Sequence, residues 1–276
     1  MREIDHIVIL TRRLADAAKA FEGLGFHVCP LMRHPFGTAN RLVMFGSTFI
    51  ELLGIEDPEK LTPSFKPFQD FLEGGEGAYA LALRSDDAPA DQKTLSAAGV
   101  GVGEIAGFRR AVRLPDGRDT EAVVSTVWAE GLRTPRSAYF LSQQHNPEAV
   151  WVKEWSIHDN TAYGLSHVQL LCAAPQDRAK ELQAFFAPTS GAFKSDAVSF
   201  DVKGIRFDVS PLSAAQDCVS DSGGEVFSDI GVTVKTLTVI ERILNANGIL
   251  FDREERGISL RPPHCGALRL HFEIES

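Results

Sequence analysis

Apolar and polar residues alternate from Ile4 to Thr11 in a run rich in β-branched side chains, which predicts a strand with one face turned to a core. Directly after it, Leu14, Ala17, Ala18, Phe21 and Leu24 recur at the spacing of one helix face, and Gly25 supplies a natural stop. Three short apolar segments follow: Phe26 to Pro30, Arg41 to Phe45 and Thr48 to Leu53. The last two are joined across Gly46-Ser47 as a tight hairpin. The element order is β-α-β-β-β.

That order returns three times when the chain is compared with itself. Gly99, Leu95 and Ser85 take the places of Gly25, Phe21 and Thr11 in a second unit, which opens near Gly77 and closes with Glu121 to Trp128 and Ala138 to Gln144. His167 and Leu182 take those of His6 and Phe21 in a third, closed by Val198 to Val202 and Ile205 to Val209. Leu237, Leu244 and Gly248 match Leu14, Phe21 and Gly25 in a fourth, which ends with Ala267 to Ile274. One unit alone leaves unpaired strand edges and a bare apolar face, so units must pair. The expected fold class is α+β, four βαβββ units forming two mixed barrels. The N-terminal barrel is placed at 1–145, a polar, Trp-rich linker at 146–163 and the C-terminal barrel at 164–276. The stretch Glu56 to Glu76, with Pro58, Pro63, Pro67 and three Phe, reads as a loop or short helix over a barrel mouth.

Composition narrows the function classes. Of 276 residues, 44% are hydrophobic and 24% charged, enough for two packed cores and against disorder. A formal charge of -9 and a pI near 5.4 do not favour a nucleic-acid surface. No apolar run approaches the roughly 20 residues that span a bilayer, so no membrane partner is expected and a cytoplasmic location is predicted. Cys29, Cys172, Cys218 and Cys265 are scattered and predict buried free thiols rather than disulfides. No phosphate-binding glycine loop and no GxSxG nucleophile turn is present.

Among chemistry-bearing residues, His6 stands between apolar neighbours on a strand, as a hydrogen-bonded barrel-lining residue or as a ligand. Glu51 lies between Ile50 and Leu52, where a carboxylate must be paired, hydrogen-bonded or metal-bound. His34 and Asn40 flank a Pro- and Gly-containing turn and either belong to that turn or present a donor and an acceptor at the barrel mouth. His145 and His158, beside Trp151 and Trp155, suit packing between barrels.

The opening Ile4-Asp5-His6-Ile7-Val8-Ile9, the stretch His34-Pro35-Phe36-Gly37-Thr38-Ala39-Asn40-Arg41-Leu42 and Phe49-Ile50-Glu51-Leu52 resemble the glyoxalase-like domain family of the vicinal oxygen chelate superfamily. Gln144 to Trp151, followed by His158-Asp159-Asn160, is similar to that family's inter-barrel linker, and the likeness fades after about Leu171. The resemblance implies two glyoxalase-like barrels. It also implies a divalent metal ion held by inward side chains on the first and last strands of paired units, with a small-molecule substrate bearing vicinal oxygens. His6 and Glu51 match the ligand positions in unit one, with Glu51 also as the catalytic proton carrier. His34, Asn40 and Gln144 would then contact substrate. Unit two breaks the pattern with Ala80 and Phe140; Gln144 or His145 would have to fill the gap. The second barrel offers an alternative set, His167, Asp208, Asp229 and Glu273, with His271 on the same strand face as Glu273. Lyase, isomerase and dioxygenase chemistry all remain open, as does a homodimer. The competing reading is a metal-free protein that sequesters a small molecule, as in the bleomycin-resistance branch.

Overall fold

The computed structural model describes residues 2–214, 224–266 and 268–275; Cys218 and Ala267, the first residue of the expected last strand, lie outside them. The first half runs β1 (Ile4–Leu10), α1 (Leu14–Gly23), β2 (Met32–Arg33), β3 (Thr38–Phe45), β4 (Thr48–Ile55), α2 (Lys66–Gly74), β5 (Gly77–Arg84), α3 (Ala88–Ala97), β6 (Ala106–Arg113), β7 (Asp119–Trp128) and β8 (Ala138–Gln144). The second runs β9 (Ala162–Cys172), α4 (Pro175–Phe186), β10 (Ala192–Phe193), β11 (Val198–Val202), β12 (Ile205–Pro211), β13 (Glu225–Val234), α5 (Leu237–Ala246), β14 (Asp252–Glu254), β15 (Gly257–Leu260) and β16 (Arg269–Glu273). Each half is one eight-stranded sheet with the same order, β2-β3-β4-β1-β5-β8-β7-β6 and β10-β11-β12-β9-β13-β16-β15-β14. Within a unit the first and last strands pair in parallel; the two units of a half meet through antiparallel first strands.

Three of the four repeat helices end in the same way. Gly25, Gly99 and Gly248 all have positive φ, and the next residue's N–H reaches back to Phe21, Leu95 or Leu244. Such a turn asks for a left-handed residue that glycine adopts without a Cβ penalty, which is why these glycines marked the repeat. Phe26 to Pro30 is not the strand its pattern suggests. His158 Nδ1 accepts from the His27 N–H at 2.9 Å, the Arg41 side chain takes the Cys29 carbonyl, and Pro30 has no N–H, so a ladder cannot continue. The strand forms later and shorter, at Met32–Arg33.

The convex faces of both sheets join in one apolar layer. Ile7, Ile9, Leu81 and Leu83 of the first half share it with Val168, Leu170, Ile230 and Val232 of the second, under Phe21, Leu95, Leu182 and Leu244 of the helices. The halves are also tied by a buried network built on an ion pair of the second half, Arg178 Nε to Glu225 Oε2 at 2.7 Å. Arg178 donates as well to the Leu132 carbonyl, and Glu225 accepts from Ser137 and Thr134, all three in the first half.

The concave faces differ. In the first half the barrel is filled from both ends: Phe68, Phe71 and Leu72 of α2 pack on Val8, Leu10, Trp128 and Phe140, while Ala149, Val150 and Trp155 of the linker pack on Met44, Val112 and Ala122. In the second half the corresponding face carries His167, Gln169, Asp208, Asp229, His271 and Glu273 and stays partly exposed. Cys29, Cys172 and Cys265 are buried free thiols. Among the described residues no helix is long and apolar enough to cross a membrane.

Candidate functional site

Between the two apolar plugs of the first barrel lies a cavity of about 50 Å³, lined by His6, His34, Asn40, Glu51, Arg110, Thr126, Ser142 and Gln144, with Leu42, Phe49, Phe108 and Val124 as apolar walls. Strand parity brings these together, because inward residues two apart on β1, β3, β4, β6, β7 and β8 share one face.

The polar groups form a chain. Arg84 Nε donates to Asp5 Oδ2 at 3.2 Å, and Asp5 Oδ1 lies 2.7 Å from His6 Nδ1. A carboxylate there fixes the proton on Nδ1, so His6 Nε2 presents its lone pair, 3.6 Å from Glu51 Oε2. Asn40 Nδ2 donates to Glu51 Oε1 and approaches His34 Nε2 at 3.4 Å; His34 Nδ1 is 2.8 Å from Thr38 Oγ1. Burial, and then the charge of Arg110, push the His34 pKa down to about 3, so His34 is a neutral acceptor for Asn40 and a donor to Thr38. His6 stacks on Phe49 at 4.3 Å and meets the edge of Phe140.

The strand register settles the equivalences inside this barrel. His6 pairs with Ala82 and Val8 with Ala80, so the internal twofold exchanges His6 with Ala80; Val8 pairs with Glu51 and Ala82 with Phe140, so it exchanges Glu51 with Phe140. Unit two thus offers a methyl group and an aromatic wall where unit one offers donors. Gln144 lines the cavity with Oε1 buried and unpartnered, whereas His145 turns away to Ser125 Oγ at 2.8 Å. His158 holds the His27 N–H and the Met44 carbonyl, a packing role. Sequence reasoning missed Asp5, Arg84 and Arg110. The signal for Arg110 was the alternation Phe108, Arg110, Val112, which puts a cation on an otherwise apolar inward face.

In the second half the same register logic pairs His167 with Gly231 and Gln169 with Asp229, then Gln169 with Asp208 and Gly231 with His271. The four equivalent positions therefore hold His167, Asp208, Asp229 and His271; Glu273 lies two residues further along β16. A Cβ at Gly231 would collide with His167 Nδ1, so this glycine makes room for the imidazole. His167 Nδ1 contacts Glu273 Oε1 at 2.8 Å, His271 Nε2 contacts Asp229 Oδ1 at 2.7 Å, and the two rings stand 5.5 Å apart. The hydrogen bond to His167 brings the Glu273 carboxyl down to about 2. Burial alone would lower His271, but Asp229 and Glu254 hold it above the ordinary histidine range. Asp208 pairs with Arg206 at 3.3 Å. Among the described residues, no three His, Cys, Asp or Glu side chains converge as a ready metal site.

Residues 4–186 match the family described as glyoxalase-like domain, whereas no curated protein matches. Solved structures share the fold at low identity. A hypothetical protein from Staphylococcus aureus aligns over 100% of both chains with a TM-score of 0.72 and 13% identity. A mutant of 4-hydroxymandelate synthase from Streptomyces coelicolor aligns over 100% of this chain and 95% of its own, with a TM-score of 0.60 and 14% identity. A fusion protein of a xylose isomerase-like TIM barrel and 4-hydroxyphenylpyruvate dioxygenase aligns over 99% of this chain but 48% of its own, with a TM-score of 0.55 and 15% identity. With the two-sheet architecture observed and the family pattern matched over 4–186, the chain belongs to the glyoxalase-like domain family.

Proposed function

We propose that this protein is an enzyme that moves a proton on a small oxygen-bearing substrate in the first-barrel cavity, with His6 and Glu51 as the acid–base pair. The observation that supports it is a polar cluster set inside a barrel otherwise filled with apolar side chains: Arg84 and Asp5 orient His6, Asn40 holds Glu51 and approaches His34, and His6 Nε2 faces Glu51 Oε2 across 3.6 Å. Buried polar groups are costly unless each has a partner, and here each partner also orients its neighbour. Asp5 leaves His6 Nε2 as the base, Asn40 holds Glu51 beside it, and the unpartnered Gln144 Oε1 and Asn40 Oδ1 accept from substrate. Such an arrangement suits isomerase or lyase chemistry at a carbon next to a carbonyl. Beside His6 and Glu51 the remaining unpartnered oxygen donors are the neutral amides of Gln144 and Asn40, and among the described residues no three His, Cys, Asp or Glu side chains converge as a metal site. Arg110 adds a positive charge beside Glu51, so no step here runs through a metal ion.

The test is solvent exchange. In deuterated water, proton NMR of hydroxyacetone and glycolaldehyde should show deuterium entering the carbon next to the carbonyl in the presence of the wild-type protein. Glu51→Gln and His6→Ala should each slow it by about a hundredfold or more, the usual range for removing a general base. Exchange that is equal in both variants and the wild type would end this reading.

A second reading has its own observation: donors at all four twofold-related positions of the second half, His167, Asp208, Asp229 and His271. Two imidazoles and a carboxylate are a donor set for a divalent transition metal, which would act as a Lewis acid toward adjacent substrate oxygens. His167, Asp229 and His271 would hold it after His167 turns from Glu273 and His271 from Asp229. Elemental analysis of protein purified without chelator should then find metal that is lost in His167→Ala and kept in His6→Ala. Loss in His6→Ala alone would return the ion to the first barrel.

A further inference from the structure

We infer that Arg110 anchors the carboxylate of a small anionic substrate in the first-barrel cavity, an assignment that rests on the acid–base reading of that cavity. Arg110 sits on β6, is 7% exposed and lines the cavity wall. Its one described hydrogen bond goes to Met32 Sδ, a weak acceptor for the strongest cationic donor among the side chains. No carboxylate among the described residues forms an ion pair with it. Glu51 and Cys29 are near enough to be felt, but Glu51 Oε1 is held instead by Asn40.

A guanidinium buried in this way is an expensive arrangement unless an anion completes it. Its planar fork matches the two oxygens of a carboxylate. The same cavity holds two buried acceptors without donors, Asn40 Oδ1 and Gln144 Oε1, which ask for a hydroxyl hydrogen. A carboxylate with a neighbouring hydroxyl supplies both needs. The 50 Å³ of space admits about three to five water-sized groups, at roughly 10–15 Å³ each, which is the size of acetate or glycolate. Phe49, Leu42, Val124 and Phe108 leave apolar wall for a short carbon chain.

The experiment is saturation-transfer NMR and calorimetric titration of glycolate, acetate and ethylene glycol into the wild-type protein, Arg110→Met and Arg110→Lys, with melting temperatures of the free proteins. Glycolate and acetate should bind the wild type in preference to ethylene glycol. Arg110→Met should weaken them at least tenfold, with Arg110→Lys between. Free Arg110→Met should melt at the same or a higher temperature, because a thioether chain replaces an unpaired buried charge; a structural arginine would move it the other way. Equal affinity in Arg110→Met, no preference for the carboxylates, or a lowered melting temperature with binding intact overturns the assignment. Glycolate binding kept in Glu51→Gln while exchange is unaffected by that change would sink the acid–base reading alone. Exchange that needs Glu51 but not Arg110, with no carboxylate bound, would sink the Arg110 assignment alone.

Discussion

Arg178→Met should lower the free energy of unfolding by about 3–5 kcal/mol, the range for breaking a buried ion pair by removing one partner. Both side chains of the Arg178 and Glu225 pair are 8% exposed. Loss of the guanidinium strands the Glu225 carboxylate against Ser137 and Thr134, which satisfy lone pairs but not charge. The Leu132 carbonyl loses its donor as well. The effect should exceed that of Glu181→Ala, which removes only the exposed partner of Arg178, since exposed pairs are worth about 1 kcal/mol or less. Urea titration of the three proteins measures it. Because the network joins the two halves, Arg178→Met should also split a single transition into two if the halves are stable apart. A loss under about 1 kcal/mol would show that water reaches Glu225 and that the convex apolar layer alone holds the halves together.

Acidification from pH 6.5 to 4.5 should cost about 2–3 kcal/mol of stability through His34, at about 1.4 kcal/mol per pH unit for one proton. Its pKa falls from 6.5 to about 3 on folding because the ring is buried beside Arg110. In that interval the unfolded chain binds a proton at this residue and the native chain does not, so stability rises with pH and falls as acid is added. The contribution is complete above the unfolded pKa and is lost progressively toward the folded one. His158, also lowered by burial, adds a slope of the same sign, whereas His271, raised by Asp229 and Glu254, adds an opposite slope near the top of the window that fades as the unfolded chain becomes fully protonated. His34→Gln, which keeps an acceptor toward Asn40, should flatten most of the profile in chemical denaturation at fixed pH values. A profile identical to the wild type would mean that His34 is hydrated.

Much of the fold was readable because each repeat carries its own signals. Short apolar or alternating runs mark β1, β8 and β11, and a glycine that the left-handed turn requires closes three of the helices. What failed locally, Phe26 to Pro30, failed because a side chain from the linker, His158, takes the backbone donor that a neighbouring strand would have used. No local pattern contains that information. The candidate site was half legible. His6, Glu51, Asn40 and Gln144 do line one cavity, because parity on neighbouring strands fixes which way they face, and His34 joins them from the turn before β3 through Thr38 and Asn40. Asp5 was hidden by the same rule: it alternates away from His6, yet its carboxylate curls back along the strand to Nδ1, with Arg84 completing its charge. Arg110 was hidden because β6 itself, an edge strand with exposed alternate residues, reads from sequence as a polar connection. The contrast between a filled first barrel and an open second one depends on where α2 and the linker dock, which is a matter of long-range packing.

The two plugs also dictate traffic. Of the twelve residues around the first-barrel cavity, Phe108 and Gln144 are half-buried and the other ten are buried. The most exposed part of the cavity's rim is therefore a benzyl ring and an amide. Rotation of these two side chains would widen or narrow that rim. Ring swings of this kind are fast for exposed residues and slower when the ring is packed, as Phe108 is against His34 and Phe36. Because the same ring walls the cavity, the size of residue 108 would govern both how quickly the cavity fills and empties and how long a carbon chain it accepts.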